Sequence, residues 1–171
     1  GDDLVYDVAG DGCAGAPRER HPSGVGWAEA APLDASAFCL PMARWRALTA
    51  FCSETGMRLL FQLNGRSFRR GCSGPSVRDS CDGALDFGNI EALLNLTAEE
   101  GLPVHAFALG NELSMVSGPA LAADFRTLRQ LLDRNWPNAA TRPRLVGHDQ
   151  NAPTDEGGAR ALAQFVRETR G

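Results

Sequence analysis

The residues best equipped for chemistry are Asn111 and Glu112, in the run Gly110-Asn111-Glu112-Leu113-Ser114. That run follows Val104 to Leu109, an apolar stretch that reads as a buried strand. A carboxylic acid held at a strand end with a raised pKa can hand a proton to a leaving oxygen. The amide of the adjacent Asn can bind a sugar hydroxyl beside the reacting carbon. Hydrolysis of a glycosidic bond needs such an acid and a second carboxylate across the sugar. Two more polar clusters close apolar runs: Gln62-Leu63-Asn64 and Gly147-His148-Asp149-Gln150. Any one of them is ordinary loop chemistry, because Asn, Asp and Gly are favoured where strands end. Three of them on one face carry more weight, since parallel α/β folds place their sites at the carboxyl ends of the strands.

The other candidates are weaker. Arg66, Arg69, Arg70 and Arg78 lie in the loop after the first of these strands. A planar guanidinium suits a carboxylated sugar, but each Arg reads first as part of a solvated basic loop, with one of the four expected to meet substrate. His148-Asp149 reads as a strand-end turn before an acid/base pair. His105 reads as a packed strand residue and His21 as surface. With three His and no spaced carboxylate cluster, neither a metal site nor a cofactor is expected. Asn95-Leu96-Thr97 is a glycosylation sequon whose Asn95 faces away from the Ile90/Leu94 stripe of its helix.

The elements that would hold these residues follow a pattern of repeated βα units. Leu4 to Val8 reads as a short strand in an otherwise Gly-, Pro- and Ala-rich stretch over 1–38. Pro41 suits a helix N1 position, with Met42, Trp45, Leu48 and Cys52 following at helical spacing until Gly56. Met57 to Leu63 reads as a strand buried on both faces. A polar loop follows to Asp86, then a helix from about Phe87 to Glu100 with Ile90, Leu93, Leu94 and Thr97 inward. After the Val104–Leu109 strand, Ser117 and Pro119 open a helix with the stripe Leu121, Phe125, Leu128 and Leu132. Arg144 to Gly147 is a third strand. A last helix carries Leu162, Phe165 and Val166.

The expected fold class is therefore α/β, with about three parallel strands joined by right-handed crossovers and flanked by helices. A three-stranded sheet with two open edges is poorly protected, so a section of a (β/α)8 barrel explains the pattern better than a closed domain. The chain has 171 residues, and a complete barrel typically needs about 250. No Gly-x-Gly-x-x-Gly follows a strand, so a doubly wound dinucleotide fold has no direct support.

Composition narrows the class further. The apolar share of 43% and charged share of 22% are those of a globular fold, not a disordered chain. A net charge of −4 argues against nucleic acid as a general partner. All 17 basic residues are Arg, which reads as a coding bias before a functional signal. The start at Gly1, without Met or a signal peptide, leads us to expect that the natural N-terminus lies elsewhere. The five Cys fit no zinc spacing. Cys72 and Cys81 bracket a Ser/Gly/Pro-rich loop and are read either as a local disulfide or as free thiols, while Cys52 reads as a core residue.

Four blocks give a specific resemblance. Phe107-Ala108-Leu109-Gly110-Asn111-Glu112-Leu113-Ser114 is similar to the Trp-Glu-Phe-Gly-Asn-Glu-Leu-Ser segment of plant heparanase-like proteins, which are family 79 glycoside hydrolases. Val5-Tyr6-Asp7-Val8 resembles that family's Val-Tyr-Asp-Val. Cys39-Leu40-Pro41-Met42-Ala43-Arg44-Trp45 resembles its Cys-Leu-x-Met-x-Arg-Trp, and Phe61-Gln62-Leu63-Asn64 its Phe-Gly-Leu-Asn. Gly-Asn-Glu alone would say little; four blocks in order say more. The departures are Phe107 for Trp, Ala108 for Glu and Gln62 for Gly.

The resemblance implies a (β/α)8 catalytic barrel, of which this chain supplies strands three to five over 39–171, with 1–38 as the loop-rich segment after strand two. It implies retaining cleavage of β-glucuronide links in matrix glycans or small glucuronides. Glu112 matches the acid/base, Asn111 the Asn beside it and Asn64 a substrate-lining strand-end Asn. Apart from the resemblance, Arg66 is the member of the basic loop taken as the substrate contact. The nucleophile, a second Glu on a later strand, lies outside this chain, so the chain alone is expected to be inactive. The family context implies a carbohydrate partner, a secreted, lysosomal or vacuolar location, association with a membrane surface or cell-wall matrix, and glycosylation at Asn95. The alternatives are an inactive carbohydrate-binding barrel, or another glycosidase of the same Asn-Glu clan.

Overall fold

Pro41 marks the point where the chain passes from strand to helix. Its φ of −63° and ψ of 142° are extended, so it serves as the N-cap and not as the first helical residue. In the computed structural model, which describes residues 4–10, 13, 39–66, 68–70, 82–111, 113, 116–147, 149 and 156–169, the elements run β1 (Val5–Asp7), β2 (Cys39–Pro41), α1 (Met42–Glu54), β3 (Leu60–Leu63), α2 (Gly88–Glu99), β4 (Ala106–Leu109), α3 (Gly118–Asn135), β5 (Arg144–Leu145) and α4 (Glu156–Thr169). Strand β2 was not expected. It pairs in parallel with β1, Tyr6 opposite Leu40. Strands β3, β4 and β5 form a second, wholly parallel sheet in that order. The expected α/β class and the three neighbouring parallel strands are thus present.

Alternation within this sheet decides which side chains face the helices. Phe61 packs on Trp45 of α1 at 4.7 Å between ring centroids, and Phe107 on Trp136, just after α3. The opposite face carries Leu60 and Gln62 of β3, in register with Ala106 and Ala108 of β4. Leu60 there is 48% exposed. The expectation that Met57–Leu63 is buried on both faces therefore fails. Its first three residues are not strand, and Leu63 alone in β3 is fully buried. The reason is its position: β3 is an edge strand of this sheet, whereas central β4 is buried at every residue.

The helices follow their expected stripes closely. Ile90, Leu93, Leu94 and Thr97 of α2 are the buried set. Ser117 caps α3 by accepting from the Ala120 backbone N–H, and Leu121, Phe125, Leu128 and Leu132 all face the core. In α1 Thr49 takes the buried place read for Leu48, which is half-buried. Only Phe165 of α4 is buried, with Leu162 and Val166 half-buried. His105 precedes β4 and is half-buried, not a packed strand residue. Two helices are tied by a buried bond, Trp45 Nε1 donating to Thr97 Oγ1 at 3.0 Å, while the Thr97 hydroxyl donates to Leu93 O at 2.6 Å.

A disulfide joins Cys13 to Cys39, with a Cα–Cα separation of 5.9 Å. No spacing in the sequence singles out this pair. Cys52 is a buried free thiol, as read. Cys72 and Cys81 lie outside the described residues. Among the described residues no helix is long and apolar enough to cross a membrane.

Candidate functional site

Because β3, β4 and β5 are parallel, their carboxyl ends lie on one edge. Residues 64–66, 110–111, 146–147 and 149 follow those ends, so the described members of the three polar clusters share one rim. Two glycines set their spacing. Gly110 has φ +66°, a left-handed conformation that suits residues without Cβ. A Cβ added there would fall 2.3 Å from Leu113 Cδ1, and one added at Gly65 would fall 2.8 Å from the same atom and 3.0 Å from Gly110 Cα. Gly110 N also donates to Leu63 O at 2.8 Å. The turn that carries Asn111 is thereby pressed against the turn that carries Arg66.

Asn64 is fully buried and works as a brace. Its Nδ2 donates to Leu4 O at 3.0 Å, its Oδ1 accepts from Arg66 N at 3.0 Å, and its own N–H donates to the Tyr6 hydroxyl at 2.8 Å. Asn89 holds the same strand from the other side, exchanging bonds with Tyr6 N and O. Asn64 thus couples β1, β3 and the backbone of Arg66. Asn111 is exposed at the rim and Arg66 half-buried. Across the sheet, Gln62 Nε2 donates to Asp149 Oδ2 at 2.9 Å, linking the first cluster to the third. Glu112, Ser114, His148 and Gln150, and with them Arg78 and His21, lie outside the described residues.

The basic loop holds a correction. Arg69 is not solvated; its side chain is 1% exposed and ion-paired with Asp124 of α3. It also donates to Gly65 O at 3.3 Å and Gly83 O at 3.0 Å. Residues 68–70 fold back on 84–86, with Arg70 N on Ala84 O and Asp86 N on Phe68 O. Asp82 then accepts from Ser117 N at 2.6 Å, tying the loop to the start of α3. Burial pushes the Asp124 carboxyl up, and its hydrogen bond and charge attraction to Arg69 offset this only in part. The signal for this pair was present: Asp124 falls on the apolar stripe between Leu121 and Leu128, where a carboxylate needs a buried partner. Arg70 remains exposed, as read.

Asn95 sits mid-helix in α2 and is half-buried. The Thr97 of its sequon is fully buried, with its hydroxyl engaged by Trp45 and Leu93.

Comparison with known proteins adds what the geometry lacks. Residues 25–152 match the model of glycosyl hydrolase family 79, N-terminal domain. The chain belongs to this family. It is 32% identical over 117 residues to heparanase-like protein 3 of Arabidopsis thaliana, covering 64% of this chain and 21% of that protein. It is 28% identical over 144 residues to heparanase-like protein 1 of the same plant, covering 81% of this chain and 24% of that protein. The chain therefore spans about a fifth to a quarter of these relatives' length. Family 79 membership makes the parent family one of glycosidases, with carbohydrate as the substrate class. Three of the four sequence blocks are structural neighbours: Tyr6 of β1 bonds Asn64 after β3, and the turn after β3 packs on the turn after β4 that carries Asn111.

Proposed function

We propose that this chain is the N-terminal part of a retaining glycoside hydrolase that cleaves β-glucuronide linkages, with Glu112 as general acid/base. The observation that carries the reading is the delivery of the family's strand-end blocks to one rim. Gly65, Gly110 and Leu113 press the turns bearing Arg66 and Asn111 together, and Glu112 immediately follows Asn111 in the chain. In this reading the sheet is a section of a (β/α)8 barrel. A Glu on a later strand, supplied by the rest of the protein, attacks the anomeric carbon while Glu112 protonates the glycosidic oxygen. Glu112 then takes a proton from water as the covalent sugar is released.

Asn111 holds a hydroxyl of the sugar beside the reacting carbon, Arg66 meets the sugar carboxylate, and Asn64 keeps Arg66's backbone in place. An oxidising compartment outside the cytosol, secretory or vacuolar, is supported by the Cys13–Cys39 disulfide. Association with the cell-wall matrix or a membrane surface would bring the enzyme to the matrix glycans among its proposed substrates. Any glycan on Asn95 is added before folding, because the sequon Thr is inaccessible afterwards.

The test is turnover of aryl β-glucuronide and aryl β-glucoside by the full-length parent and its Glu112→Gln variant. The glucuronide is expected to be the better substrate, and the variant to lose roughly 10²–10⁴ in rate, the range for general acid–base catalysis. Activity near that of the unmodified protein would remove Glu112 from its role.

A further inference from the structure

We infer that Gln62, held by Asp149 and given room by Ala108, determines sugar specificity from the floor of the strand-end rim; the inference deepens the glycosidase reading and rests on it. Gln62 and Ala108 are register partners on neighbouring parallel strands. Paired residues of adjacent strands project to the same face. Phe61 and Phe107 point to the helices, where they meet Trp45 and Trp136. Gln62 and Ala108 therefore project to the opposite face, the one on which Leu60 stays exposed.

In this row the long polar side chain, a neutral amide, stands on β3 and the small one on β4. Ala108 leaves the space beside it. Asp149, which follows β5, reaches back over β4 to accept from Gln62 Nε2 at 2.9 Å. That bond fixes which end of the amide is which. With Nε2 bound to a carboxylate, Oε1 is presented as an acceptor. An acceptor next to a carboxylate suits a neutral sugar hydroxyl and disfavours the uronate carboxyl. Gln62 thus reads a hydroxyl, and the sugar's negative group is turned away from β3–β5 at this level and toward the basic loop.

Steady-state kinetics of the full-length parent on an aryl β-glucuronide tests this. Gln62→Ala and Asp149→Ala are each expected to raise KM about tenfold with kcat little changed, as for loss of one hydrogen bond to substrate. The double variant is expected to be no worse than either single one, because both act through the same amide. Thermal melts of each variant separate this from a general loss of structure: the KM effect is expected with the melting temperature maintained. Singles that leave KM unchanged, or a double variant whose effect is the product of the singles, would overturn the inference while leaving the glycosidase reading in place. An unmodified parent that turns over no glycoside would overturn both.

Discussion

Gly110 carries the sharpest demand on a single position. It combines φ +66° with a Leu113 side chain that a Cβ would meet at 2.3 Å. Gly110→Ala is therefore expected to destabilise the protein by roughly 1–3 kcal/mol, through overpacking added to backbone strain. Urea unfolding of the variant checks this, and a stability equal to the unmodified protein's would mean that Leu113 yields freely. At this scale the sequence was informative about residue type and less so about residue role. Asn64, read as a substrate-lining residue at a strand end, does follow β3 but is fully buried, with its side chain bonded to Leu4 and Arg66 and its N–H to Tyr6; the bonds to Leu4 and Tyr6 come from a segment distant in sequence. Arg69 was grouped with three other arginines because a basic loop without a visible partner reads as solvated. Its partner lies 55 residues away on α3.

Among the elements, the loop after β3 and the helix α3 are joined by one buried ion pair. Arg69→Ala would leave the Asp124 carboxylate buried without its partner and is expected to cost about 3–5 kcal/mol. Denaturant melts would measure it, and a loss below 1 kcal/mol would show that water reaches Asp124. The same pair sets a pH dependence. Since burial raises the Asp124 pKa, the folded state holds the proton more tightly than the unfolded chain does. Its contribution is then fullest below the ordinary Asp value of about 3.9 and declines as pH rises through the raised folded value. Asp124→Asn should flatten that decline in stability measured across the acid range; identical slopes would contradict it. Glu100 runs the other way. The exposed Arg46 guanidinium holds its carboxyl below the usual range, so its small contribution is present at neutral pH and is lost on acidification. Helical stripes were legible in the sequence because each helix has one apolar face at a period of 3.6. Strand extents were not. Three of the seven residues from Met57 to Leu63 precede the strand, since an apolar run does not say where pairing begins, and β2 is recognisable only through its pairing with β1.

For the molecule as a whole, the Cys13–Cys39 bridge closes a loop across a sequence separation of 26. Replacing both cysteines by Ser is expected to lower stability by about 2–4 kcal/mol, chiefly by freeing the unfolded chain. Calorimetry with and without a reductant would report it, and an unchanged melt would mean the bridge contributes nothing to folding. The α/β class and parallel order were readable from the alternation of helical and strand patterns, and the family from four short blocks. What no spacing could reveal was how tightly two of those blocks touch. Gly65 and Gly110 both close on the Leu113 side chain, so neither glycine can gain a Cβ without displacing it. Attempts to retune this protein by randomised libraries would do well to keep those three constant and diversify their neighbours, because variation inside the trio spends stability that changes in selectivity also draw on.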